Sequence, residues 1–166
     1  MKHALIALGV VMVAAACVTE NGDATVAETP PDRASFPVVA DLLVHRCGTL
    51  DCHGMVGRNF RIYGREGLRR ATDARPTSKP GTTTTEEYDE TFASLVALEP
   101  EITSAVVQEG GASPDRLTFV RKARGAEHHK GGTLMNEGDE EDACIVSWLS
   151  GHTDDTKCKS ALTNAF

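Results

Sequence analysis

The chain has 166 residues, 40% hydrophobic and 25% charged, which suits one globular domain and leaves too little for two sizeable cores. Seventeen Lys and Arg stand against 24 Asp and Glu; the resulting net charge of −7 has the wrong sign for holding phosphates, which argues against a nucleic-acid partner. Only eight residues are aromatic, so the protein offers few large plates of its own around which to build a core, and five cysteines in so short a chain need a reason.

The first cysteine belongs to export. After Lys2 and His3 comes an apolar or small run from Ala4 to Ala16, 13 residues and too short for a bilayer that takes about 20. A basic start, a short apolar run and small residues at its end predict a signal peptide over residues 1–16. The sequence Ala14-Ala15-Ala16-Cys17 resembles the lipobox of bacterial lipoproteins, although Ala14 stands where that family prefers Leu. The resemblance implies that Cys17 is lipidated, becomes the new N-terminus and fastens the protein to a membrane. The other reading is an ordinary signal peptide cut after one of the alanines, with Cys17 a free thiol. Val18 after Cys17 resembles the sorting of outer-membrane lipoproteins, so the expected location is the bacterial cell envelope, at the outer membrane and facing the periplasm.

Residues 18–35 lack large apolar side chains and include Pro30-Pro31, which predicts a flexible tether over 17–35 and a folded domain over 36–166. Export also makes disulfides permissible for the four remaining cysteines, Cys47, Cys52, Cys144 and Cys158.

Along the domain, Ser35-Phe36-Pro37 reads as a helix start, and Phe36, Val39, Ala40, Leu43 and Val44 form one apolar face that runs to about Arg46. The chain then enters Cys47-Gly48-Thr49-Leu50-Asp51-Cys52-His53-Gly54, a tight, irregular loop with glycines near both ends. Asn59 to Tyr63 suits a short extended piece, and Gly64 to Thr85 a long surface loop. Tyr88, Phe92, Leu95 and Val96 restore helical spacing, and a further helix fits Pro100 to Glu109, stopped by Gly110 and Gly111. Ser113-Pro114 to Arg124 repeats that grammar, with Leu117 and Val120 inward and Gly125 as the stop. Asp139 to Leu149 closes the series, with Asp139 and Asp142 at capping spacing, Ile145, Trp148 and Leu149 inward and Gly151 as the stop. With no strand alternation and no repeat, the predicted class is all-α, with long loops.

A cysteine pair followed at once by histidine can serve haem: the thiols form thioethers with its two vinyl groups and the adjacent imidazole is held to the iron. The usual spacing is C-x-x-C-H; this chain has C-x4-C-H, which some multihaem cytochromes c also use. With an amphipathic helix running into the motif and an aromatic-bearing helix near the C-terminus, the chain resembles a small bacterial cytochrome c of a divergent lipoprotein type. Phe36 to Val44 and Ile145 to Leu149 look like the two helices that close one side of the haem in that family. His128-His129-Lys130-Gly131-Gly132 is similar to the His-x-Gly-Gly turn before its last helix. The likeness covers Phe36 to Arg58 and Ala126 to Gly151.

The resemblance implies covalently bound haem c on Cys47 and Cys52, with His53 as the proximal iron ligand. For the opposite face Met135 is the methionine candidate, with His128 and His129 competing; Met55 is too near His53, and His45 and His152 are poorly placed. Met135 also reads simply as a gap-filling hydrophobe. The implied function is electron transfer to a redox partner protein, with enzymatic activity conceivable only through the haem. The competing reading is a haem-free lipoprotein in which Cys47 and Cys52 form a disulfide and the domain acts as an interaction or structural module of the envelope. A zinc site on Cys47, Cys52, His53 and His128 or His129 is a third, awkward because Cys52 and His53 are adjacent.

Cys144 and Cys158, 14 positions apart, suit a disulfide worth about 3 kcal/mol that fastens the tail; no C-x-x-C occurs for thiol-redox chemistry. The arginines from Arg58 to Arg65 either meet haem propionates or form a solvated face. Thr82 to Thr85 reads as polar loop and Asp139 to Asp142 as an acidic cluster for the last helix's N-terminus. No Ser-His-Asp order, phosphate-binding glycine loop or H-E-x-x-H supports a hydrolase or nucleotide-binding reading.

Overall fold

The computed structural model describes residues 28–70 and 81–163. Its helices are α1 Phe36–Cys47, α2 Thr85–Val96, α3 Pro100–Gln108, α4 Thr118–Ala123, α5 Glu140–Leu149 and α6 Asp155–Ala161, with a 3-10 turn at Pro114–Arg116. Among the described residues the only extended pairing is a single bridge between Tyr63 and Leu68, so the domain is all-α, as its periodicities predict. The expected signal peptide, the lipidated Cys17 and the tether as far as residue 27 lie outside the described residues.

Helix α1 is central because α2, α5 and α6 all pack against it. Its predicted face of Phe36, Val39, Ala40, Leu43 and Val44 is buried; Leu42 is buried too, because a helix covered from several sides needs a wider apolar arc than one stripe. Scarce aromatics are concentrated at one point. The Phe36 ring lies 5.0 Å from Trp148 of α5 and 5.2 Å from Phe92 of α2, the latter edge-on.

The folded unit starts upstream of Phe36. Pro31 is buried, the Trp148 indole nitrogen donates to the Asp32 carbonyl at 2.8 Å, and Thr29 N donates to Ser104 Oγ of α3 at 2.8 Å. The tether expected to run to Ser35 therefore ends earlier. Absence of large apolar residues did not matter here, because a backbone carbonyl is what a buried indole N–H requires.

Helix α2 carries a full capping box, Thr84 with Glu87, and Leu95 is buried as its spacing predicts. Two polar residues share that inner face. Thr91 Oγ1 accepts from Tyr63 N at 2.9 Å, and the buried Glu87 carboxylate accepts from Thr84 N, Arg70 N and Arg69 Nε at 2.9–3.0 Å. Together they moor the long loop after the cysteine motif.

The helix expected over 114–124 is split. Leu117 is extended between the 3-10 turn and α4, because the Glu99 carboxylate takes Thr118 N at 2.6 Å and Thr118 Oγ1 at 2.8 Å, capping α4 from outside. Leu117 and Val120 still point into the core. Helix α5 begins as predicted: Asp139 caps it through Asp142 N at 2.9 Å, and Ile145, Trp148 and Leu149 are buried. Helix α6 was not expected. Asp154 caps it through Thr156 N and Lys157 N, and the Cys144–Cys158 disulfide joins it to α5.

Candidate functional site

The site is built where α1 ends. Gly48 N closes the last turn on Val44 O at 3.0 Å, after which Cys52 N and Gly54 N both donate to Thr49 O at 2.9 Å and His53 N returns to Cys47 O at 3.0 Å. The loop folds back so tightly that a Cβ on the buried Gly54 would stand 2.0 Å from Gly48 O. Glycine is required there by the close approach of two backbones.

His53 is then held from downstream. Its Nδ1 donates to the Phe60 carbonyl at 2.9 Å, Ile62 N donates to the His53 carbonyl at 2.9 Å, and the Phe60 ring lies 4.9 Å from the imidazole. Burial pushes the His53 pKa below its usual value, helped by His129 and Arg58 and opposed by the Phe60 carbonyl. That direction favours the neutral imidazole, the form that binds a metal.

Cys47 and Cys52 both carry free thiols, whereas Cys144 and Cys158 are joined. Burial, reinforced by Cys52 and opposed by Arg46, pushes the Cys47 thiol up to about 12.

Cys47 and His53 face a cavity of about 380 Å³, within the size range of small-molecule sites. Its wall is mostly apolar: Leu42 and Leu43 of α1, Phe119 and Ala123 of α4, Leu134 and Met135 before α5, and Ile145 of α5. His129 also lines it, with its ring centroid 6.0 Å from that of His53. Of the residues expected around haem, the fold thus brings Cys47, His53, His129 and Met135 to one cavity. Cys52 is half-buried on the same turn but outside that wall. His128 is exposed, its carbonyl accepting from Lys122 Nζ at 3.1 Å, and is not part of the wall. His45 pairs with Glu66, and Met55 is 42% exposed. Of the arginines from Arg58 to Arg65, only Arg58 reaches the wall, and its Nε donates to Cys52 O at 3.0 Å. Among the described residues no three His, Cys, Asp or Glu side chains form a group fit to hold a metal by themselves, so the zinc set is not assembled.

Two parts of the wall had no place in the sequence reading. Phe119 and Ala123, four apart, form a second face of α4 beside the Leu117 and Val120 already marked. Arg46 and Glu141 form an almost buried ion pair between α1 and α5, so Glu141 of the acidic cluster does more than serve the helix N-terminus. Neither a family model, nor a curated protein, nor a solved structure matches the chain.

Proposed function

We propose that this chain is an electron-transfer haem c protein anchored to the bacterial cell envelope, with haem attached at Cys47 and Cys52 and bound through His53. The hydrogen bond from His53 Nδ1 to the Phe60 carbonyl carries the reading. A carbonyl only accepts, so Nδ1 bears the proton and Nε2 keeps the lone pair that an iron ligand needs. Free thiols at Cys47 and Cys52 and the apolar cavity beside His53 agree with it.

Bound there, haem supplies a one-electron iron couple. Leu42, Leu43, Phe119 and Ile145 keep water from the site, while Arg58 and Lys122 on the wall supply cations for the carboxylates that a porphyrin carries. The Phe60 carbonyl fixes the imidazole tautomer and raises its basicity. Lipid on Cys17 provides the anchor to the outer membrane, facing the periplasm; no described helix is long and apolar enough to cross a bilayer. A redox partner protein receives or delivers the electron.

The test is export in a host with haem-attachment machinery, followed by a visible spectrum and an intact mass under denaturing conditions. The expected result is haem mass that survives denaturation and disappears in the Cys47→Ala, Cys52→Ala double variant. A colourless protein with all four domain cysteines oxidised overturns the reading in favour of a haem-free, disulfide-stapled envelope module.

A further inference from the structure

Four large hydrophobic side chains are exposed among the described residues, and three of them, Leu50, Met55 and Val56, belong to the loop that carries Cys52 and His53. Val56 is 70% exposed and Leu50 63%. The loop is closed by backbone bonds from Cys52 N and Gly54 N to Thr49 O, so its own shape does not call for apolar side chains facing water. Exposed apolar groups gathered in one place and edged by charge mark a surface that meets a partner.

The charge around the loop is just as uneven. Among the described residues every arginine and lysine is ion-paired with a carboxylate except Arg58, Arg61 and Lys130, and all three are exposed. They lie at one place. Arg58 lines the cavity beside His53, while Arg61 and Lys130 directly follow Phe60 and His129, which line it too. The only carboxylate between Gly48 and Gly64 is Asp51. A chain of net charge −7 thus collects its unneutralised basic side chains around one apolar loop.

The course of the chain separates a protein partner from a membrane. Thr29 is fixed to Ser104, and Asp32 to Trp148, whose ring lies against Phe36 at the start of α1. The loop leaves the other end of this 12-residue helix, about 18 Å away. A membrane that holds the upstream chain is therefore met by the start of α1 and not by the loop.

We infer that Leu50, Met55, Val56, Arg58, Arg61 and Lys130 form the docking surface for a protein partner that presents an acidic face with apolar side chains at its centre. The basic groups speed the encounter and the apolar ones hold the complex. The inference stands on the chain's own surface and needs no occupant in the cavity.

The test measures binding kinetics of the full-length exported protein with two immobilised synthetic helical peptides of one pattern, Leu on one face and either Glu or Lys on the other, and with phosphatidylglycerol vesicles. Binding to the Glu peptide alone is expected, weakening as salt is raised. Arg61→Glu combined with Lys130→Glu is expected to slow association about tenfold at low salt. Leu50→Ser combined with Val56→Ser is expected to speed dissociation. Ile102→Ser on α3 and Lys159→Glu on α6, the same kinds of change elsewhere, are expected to leave both rates as they were, with helical circular dichroism showing that every variant is folded. No binding to the Glu peptide, equal binding to the Lys peptide, binding to the vesicles through the same residues, or control variants as disruptive as the loop variants each overturn the inference. A preparation without covalent haem that binds the Glu peptide upholds it while the haem reading fails.

Discussion

The Trp148 indole nitrogen donates to the carbonyl oxygen of Asp32 at 2.8 Å, across 116 positions of sequence. The contact joins the segment leading into α1 to the centre of the aromatic cluster, since Trp148 is also 5.0 Å from Phe36. Starting the chain at Phe36 removes the acceptor and leaves a buried N–H unsatisfied, which costs about 1–3 kcal/mol. Urea unfolding of chains beginning at Val18 and at Phe36 checks this; equal midpoints would mean that Asp32 contributes nothing to the fold.

Gly54 faces Gly48 O so closely that Gly54→Ala must displace the cysteine loop. Gly57, three residues on, has open space around it. Under the proposed haem attachment, the alanine variant at Gly54 is expected to cut the yield of covalent haem severely at unchanged helical content, while Gly57→Ala keeps the yield of the unsubstituted chain. Haem absorbance per protein, with circular dichroism alongside, makes the comparison.

Acid sensitivity is expected from Glu87. Burial works to raise its pKa, but hydrogen bonds from the Thr84 and Arg70 backbones, then the Arg69 guanidinium, outweigh it and hold the group below the usual carboxylate value. A carboxylate with a depressed folded pKa stabilises fully above its unfolded pKa of about 4.3, and that contribution is lost as pH falls through the folded value. Glu87→Gln should be less stable than wild type at neutral pH and should lose less stability on acidification. Urea midpoints at several pH values test the sign; parallel curves would exclude Glu87 as the cause.

Arg124 Nε and Nη2 reach both oxygens of Asp142, at 2.8 and 2.9 Å, and the two side chains are 12% and 3% exposed. Asp142 also accepts from Gly138 N. Asp142→Ala leaves the nearly buried Arg124 with the exposed Glu137, 3.8 Å away, in place of its bidentate partner, and is expected to cost about 3 kcal/mol, the lower end of the cost of breaking a buried pair. A thermal midpoint within a degree or two of wild type would contradict that.

The Cys144–Cys158 bond fastens α6 to α5, with Cα atoms 4.7 Å apart. Replacing both by Ser should lower stability by about 3 kcal/mol, because the unfolded chain regains its loop freedom. Amide exchange should speed up first in Asp155–Ala161, a helix with only Cys158 and Ala161 buried. Uniform exchange across the domain would argue against this local role.

Much of the scaffold was legible because its signals are local. The face of α1, the Asp139 cap of α5 and the Cys144–Cys158 pairing each depend on residues a few turns apart, where periodicity, capping and spacing speak directly. The candidate site was half legible. Cys47, Cys52 and His53 announce themselves by adjacency, but Phe119 and Ala123 on the wall look like any other helical residues.

The failures share one cause. The end of the tether and the break at Leu117 were each decided by a partner remote in sequence: Trp148 for Asp32, and Glu99 for Thr118. Hydrogen bonds of that kind leave no period and follow no propensity.

The sequence by itself determined the all-α class, the start of α1 and the cysteine-histidine loop that follows it, because helical spacing and the adjacency of Cys52 and His53 are written in neighbouring residues. Only the tertiary structure decided which distant groups meet that loop. It brings His129 to 6.0 Å from His53 and leaves His128 outside the cavity, a choice between adjacent, identical side chains that depends on the packing of α4 and α5 around the segment joining them.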